Sequence, residues 1–326
     1  MRLDTPICQL LGVEHPLGNA GMAGMARHRL AAAVAEAGGI GTIALGGSSV
    51  DEVRSELAAL RERTDRPVSA NFITWILEHD RSAFDAALEF GVHSVTLSFG
   101  DPSPFAAAAH DAGALVIAQV QTIDAGRRAL DAGADVLIAQ GNEAGGHTGV
   151  TPLLPFLPQV VDLAGDVPVL AAGGVGDGRG LAAVLNLGGA GALMGTRFIA
   201  SDEAQSRWPD LPDQVLAASA DDSVWTTSID IASGKGRSHW PSGIGARSIR
   251  TPWLDRWADR DQELAHELTG GATTADLDGG DPTPAYAGPS AGMVTSIEPA
   301  ADIIRGVVGQ AASTLSRGAS FVSTDG

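Results

Sequence analysis

Residues 122–149 read TIDAGRRALDAGADVLIAQGNEAGGHTG. The first twelve are a helix candidate: Thr122 stands where an N-cap would, and Gly133 closes the run as a helix C-terminus prefers. ADVLIAQ (134–140) follows, apolar on both faces, as a strand must be when helices cover a parallel sheet on both sides. Then comes GNEAGGHTG, a glycine-rich stretch that holds one imidazole, His147. A helix, a doubly buried strand and a glycine loop form one turn of a βα rhythm, and the number of times it recurs decides the fold.

It recurs along most of the chain. The other strand candidates are HPLGNA (15–20), GIGTIAL (39–45), PVSANFI (67–73), HSVTLSF (93–99), ALVIAQV (114–120), VPVLAAG (167–173) and GALMGTR (191–197). Helical patterns lie between them, among them RLAAAVAEAG (29–38), SSVDEVRSELAALRERT (48–64, with Ser48 read as its N-cap), DRSAFDAALEFG (80–91) and DGRGLAAVLNLG (177–188). Strands spaced roughly 20–30 residues apart, each followed by a crossover, predict an α/β (β/α)8 TIM barrel. A doubly wound open sheet is the structural rival, but GxGxxG does not follow the first strand.

The rhythm breaks after Ser201. Residues 206–290 hold five of the six tryptophans and many Gly, Ser, Thr and Asp residues. The expected organisation is a barrel over 1–205, a smaller, mainly helical added domain over the barrel mouth at 206–290, and a C-terminal segment, 291–326, returning to the barrel. The helical spacing of Ile303, Ile304, Val307, Val308 and Ala311 supports that return.

Composition excludes several function classes. A formal net charge of −18 in 326 residues repels nucleic acid and anionic membrane surfaces, so neither is an expected partner. No run of about 18 apolar residues exists to span a membrane, and the N-terminus lacks a signal-peptide core; a soluble cytoplasmic protein is expected. The one cysteine, Cys8, permits no disulfide framework. None of the eight histidines forms HExxH or another metal pair, so no metal is expected. GxSxG is missing, which removes a serine nucleophile of that type.

Two signals remain. In barrels, the loops after strands 7 and 8 often hold a phosphate on backbone N–H groups. Here those loops begin AAGGVGDG and MGTRF. Gly173 and Gly174 let the backbone approach an anion; Gly195 offers a bare amide and Thr196 a hydroxyl. Walker-type GxxxxGK[ST] is absent, which leaves flavin mononucleotide (FMN), a sugar phosphate or a nucleoside monophosphate. The second signal is His147, just past strand 6 on the face where barrel enzymes do chemistry. An imidazole there can take or give a proton. Gln140 has an amide for a heterocycle edge, Gly145 and Gly146 would let the loop lie flat against a planar ligand, and Glu143 either orients the imidazole or caps a turn.

QGNEAGGHTG (140–149) and AAGGVGDGRGLAAVLNLGGAGALMGTRF (171–198) together resemble the nitronate monooxygenase family, formerly called 2-nitropropane dioxygenases. GMAGMARHRLAAAVAEAGGIG (21–41), the Asn of SANFI and YAGPSAGMV (286–294) add to the likeness, which runs from about residue 15 to 315. The resemblance implies an FMN-containing barrel in which Asn71, Gln140, Gly145, Gly174, Leu193, Met194, Gly195 and Thr196 hold the cofactor, Met22 lies near its ring, and His147 is catalytic; Gly173 joins them on the bare-amide argument. One departure is Gly21, where the family usually has Pro before the first-loop Met.

The implied reaction is oxidation of alkyl nitronates, or nitroalkanes, by O2 to a carbonyl compound and nitrite. Local cations, Arg197 or His147, would attract the anion; Arg197 reads equally well as a structural residue. A rival reading keeps the fold and uses NAD(P)H, as FMN-type enoyl-acyl-carrier-protein reductases and NADH:quinone reductases with the same loop do. A non-catalytic flavin-binding protein is the third. The expected partners are a small-molecule substrate and O2, and a homodimer is compatible with all of this.

Overall fold

The computed structural model describes residues 3–206, 208–280 and 282–320; the last six residues of the C-terminal segment lie outside them. Eight strands run parallel: β1 (Leu17–Asn19), β2 (Gly41–Ala44), β3 (Val68–Ile73), β4 (Ser94–Ser98), β5 (Leu115–Val120), β6 (Val136–Gln140), β8 (Val169–Ala172) and β9 (Gly191–Met194), with β7 (Gly146–Thr148) lying outside their sheet. Their order is β1-β9-β8-β6-β5-β4-β3-β2, and a bridge between Gly18 and Ile40 brings the two ends together. The strands therefore form a nearly closed TIM barrel, as the rhythm predicts.

The apolar residues divide between two sides of the strands. Side chains such as Ala70, Val95, Leu137 and Met194 face the surrounding helices. Ile117, Val136, Ile138, Leu170 and Leu193 instead pack with Ile7, Cys8 and Leu11 from the N-terminal helix Pro6–Leu11. Alternation along each strand produces this division.

Several helix starts carry local reasons. Thr122 accepts the Ala125 N–H, as an N-cap should. The cap of Val50–Arg61 is Ser49, not Ser48: its hydroxyl accepts the Glu52 N–H while the Glu52 carboxylate accepts the Ser49 N–H. The correction is physical, because only Ser49 has a glutamate three residues on to complete the box.

Beyond the barrel, the chain forms helices and two strands that the spacing analysis does not name, β10 (Ser223–Thr226) and β11 (Gly245–Ile249). β11 pairs antiparallel with β10 on one side and with β7 on the other. Trp253, Trp257, Ile229, Leu264 and Leu268 gather into a cluster of their own. The helix Ala300–Ala319 returns to the barrel and packs on Gly178–Asn186 and His28–Glu36. Among the described residues, no helix is long and apolar enough to cross a membrane, and no group of His, Cys, Asp or Glu converges as a metal-ligand set.

Candidate active site

A cavity of about 320 Å³ opens at the C-terminal ends of the strands, the end where barrel enzymes do chemistry. Met22, Asn71, Gln140, Gly145 and His147 line it. So do Gly173, Gly174, Leu193, Gly195 and Thr196. Met194 does not: its side chain is buried on the helix side of the strand, opposite to Leu193. The period of two along β9 makes that division unavoidable, so any part Met194 plays at the site belongs to its backbone.

Gly173 and Gly174 have φ of +99° and +71°, conformations that disfavour any side chain. A Cβ on Gly173 would also stand 2.8 Å from the Ala144 nitrogen. Beside them, the Thr196 hydroxyl accepts the Gly288 N–H at 3.0 Å, and its own proton has no acceptor among the described residues. Adjacent strands thus end in bare amides and one free hydroxyl proton, a donor set suited to a phosphate.

Across the cavity, side-chain amides link neighbouring strands. Asn71 Nδ2 donates to Ser98 Oγ at 2.9 Å and to the Thr96 carbonyl at 3.3 Å. The Ser98 hydroxyl donates to Gln119 Oε1, while Gln119 Nε2 is buried with no partner among the described residues. A buried donor left unpaired beside a cavity fits the edge of a polar ligand. Gln140 is already engaged at both ends: its Oε1 accepts from Gln121 Nε2 at 2.9 Å, and its Nε2 donates to the His147 carbonyl at 3.1 Å. It therefore braces the histidine strand, and Gln119 is the amide with a free donor.

Gly145 also has a packing reason. A Cβ there would stand 2.6 Å from the Ala287 Cα, so the missing side chain admits the returning backbone. Gly21 is similar: a Cβ would come within 2.5 Å of Asn71 Cγ. The first loop lies directly against the asparagine that faces the cavity.

His147 sits on β7, registered opposite Ala246 of β11. Its Nε2 lies 2.7 Å from Asp230 Oδ1, and its ring stacks on Trp240 at 3.5 Å and 14°. Trp240 meets Phe99 and Trp75 edge-on. Phe99, Trp208 and Tyr286 also line the cavity and give its mouth an aromatic rim. Glu143 does not orient the imidazole. Its carboxylate accepts the Leu153 N–H at the start of the helix Leu153–Ala164, a favourable place for negative charge.

Arg197 proves structural. It is 8% exposed, donates to the Ala200 and Ser296 carbonyls, and pairs with Glu298 at 3.0 Å. Burial lowers its pKa, with the Glu298 carboxylate acting against that. It is not part of the cavity wall.

Asp230, Trp240 and Gln119 are absent from the sequence-derived set. Asp230 and Trp240 follow the barrel and carry no spacing signal that ties them to His147. Gln119 lies on a strand recognised from its pattern, one residue inside the end, and its place facing the cavity was readable from the alternation.

Solved structures share this fold. The chain is 32% identical to FabK of Thermotoga maritima, with a TM-score of 0.83 over 98% of this chain and 100% of that one. It is 29% identical to the nitroalkane oxidase of Streptomyces ansochromogenes, with a TM-score of 0.74 over 95% and 99% of the two chains. The class is therefore a TIM-barrel oxidoreductase, and the protein is an enzyme. Within that class the chain belongs to the nitronate monooxygenase family, whose profile matches residues 4–309. Among curated relatives, a (3aS,4S,5R,7aS)-5-hydroxy-7a-methyl-1-oxo-octahydro-1H-indene-4-carboxyl-CoA dehydrogenase of Mycobacterium tuberculosis is 38% identical over 71% of this chain. That match spans 65% of the relative's own length.

Proposed function

We propose that this protein holds FMN at the barrel mouth and oxidises alkyl nitronates with O2, giving a carbonyl compound and nitrite. Residues 206–290 act as its substrate-side unit. The observation that carries the reading is an imidazole fixed in the wall of a cavity that also carries a bare-amide cradle. The N–H groups around Gly173, Gly174, Gly195 and Thr196 would take the phosphate, and Asn71 and Gln119 would meet the ring edge. Bound there, FMN supplies the redox chemistry. The chain's own residues bind and orient. His147, when protonated, draws in the anionic nitronate; when neutral, it takes the α-proton of a nitroalkane. Trp240, Tyr286 and Trp208 keep water from the reacting atoms.

A second reading, an NAD(P)H-dependent FMN reductase, is favoured by the likeness to FabK over 98% of the chain. The curated coenzyme A dehydrogenase relative adds a thioester as its candidate substrate. Nitrite release and oxygen uptake with an alkyl nitronate test the first reading. NADH consumption without nitrite release from a nitronate would favour the second.

A further inference from the structure

We propose that Asp230 is the positioning residue of this site: its carboxylate accepts a hydrogen bond from the Nε2–H of His147 and so presents Nδ1 to the substrate. Three contacts fix the residue, one at its backbone and two at its ring. Gln140 Nε2 holds the His147 carbonyl, Trp240 covers one face of the imidazole, and Asp230 Oδ1 holds its edge at 2.7 Å. An ionised carboxylate can only accept, so the proton belongs on Nε2. Nδ1 has no hydrogen-bond partner among the described residues and is the nitrogen left for chemistry.

A purely structural role explains the pair less well. Asp230 is 4% exposed on the helix Ser228–Ser233, and its second oxygen, Oδ2, is buried without a partner among the described residues. A contact serving only to join two parts of the chain needs no buried carboxylate, and a neutral amide would avoid the desolvation. The neighbouring ionisable groups are engaged elsewhere. Glu143 accepts from Leu153, and Arg247 donates to the Asn142 carbonyl and Ser223. Tyr286 stands 5.8 Å from the imidazole, ring to ring.

The inference rests on the reading that His147 acts on the substrate. The test uses flavin-loaded native, Asp230→Asn and Asp230→Glu enzymes with a neutral nitroalkane or, for the second reading, NADH. Asp230→Asn is expected to keep its flavin and to lose about tenfold or more in kcat, with KM changed by less than about threefold. Asp230→Glu should recover part of the loss. Nitrogen-15 shifts of the His147 ring should show a single Nε2–H tautomer in the native enzyme and a mixture in Asp230→Asn. Native kcat together with an unchanged tautomer in Asp230→Asn would overturn the proposal. So would a native neutral ring that carries its proton on Nδ1 and not on Nε2, which decides the matter even where the variant does not fold. A His147→Ala enzyme as active as the native one would instead overturn the underlying reading of His147.

Discussion

His147 is held at backbone, edge and face, and that immobility is what a positioned acid or base requires. Replacing it with Ala removes the imidazole from the cavity while leaving the amide cradle intact. His147→Ala should retain its flavin and lose about 100-fold or more in turnover of a neutral nitroalkane; steady-state rates on enzyme of measured flavin content decide it, and native turnover would remove His147 from the chemistry. Gly173 gives the complementary case. A side chain at φ +99° is strained and meets the Ala144 nitrogen, at a cost of about 1–3 kcal/mol. Gly173→Ala is therefore expected to lower both Tm and the flavin-to-protein ratio, read by thermal unfolding and absorbance. A variant that binds flavin at native stoichiometry would show that the cradle tolerates a Cβ.

At the scale of elements, the histidine is carried by a strand, and a loop tether is the wrong description. β7 is short and exists because β11, about 100 residues later, pairs with it. Arg247 of β11 reinforces the pairing by donating to the Asn142 carbonyl and to Ser223 Oγ. Burial lowers the Arg247 pKa, and the Glu143 carboxylate opposes that shift. Arg247→Met should destabilise the protein by about 2 kcal/mol, from lost hydrogen bonds to a charged group, and should slow turnover by loosening β7. Calorimetry beside kinetics checks this, and an unchanged Tm would show that the pairing alone holds the strand. The same element explains what the sequence reveals and what it hides. The eight barrel strands are legible because each is a short, largely buried run that sits between helical repeats. The cradle is legible because Gly173, Gly174, Gly195 and Thr196 follow strands in one short stretch. Asp230 and Trp240 are not, because their relation to His147 depends on a long-range antiparallel pairing and on where one short helix packs. Gln140 and Gly145 line the cavity, and the tasks the structure gives them, bracing β7 and admitting the backbone at Ala287, rest on long-range contacts that spacing does not reveal.

Across the whole molecule, the chain behind the barrel also holds the mouth in place. Arg197, just after β9, reaches Glu298 and the Ser296 carbonyl, and the helix Ala300–Ala319 begins two residues beyond Glu298. Glu298→Gln leaves the buried guanidinium without its counter-charge. Because Glu298 is partly exposed, the expected loss is about 1–2 kcal/mol, seen as a lower Tm with the flavin spectrum unchanged. An equal Tm would show that the carbonyl contacts alone satisfy Arg197. The central claim concerns the electron donor, and one measurement addresses it directly: anaerobic rapid mixing of the flavin-loaded protein with an alkyl nitronate and, separately, with NADH, following flavin absorbance. The expected result is bleaching by the nitronate at a rate that supports turnover, with little response to NADH. Rapid bleaching by NADH and none by the nitronate would contradict it and assign the barrel to a reductase.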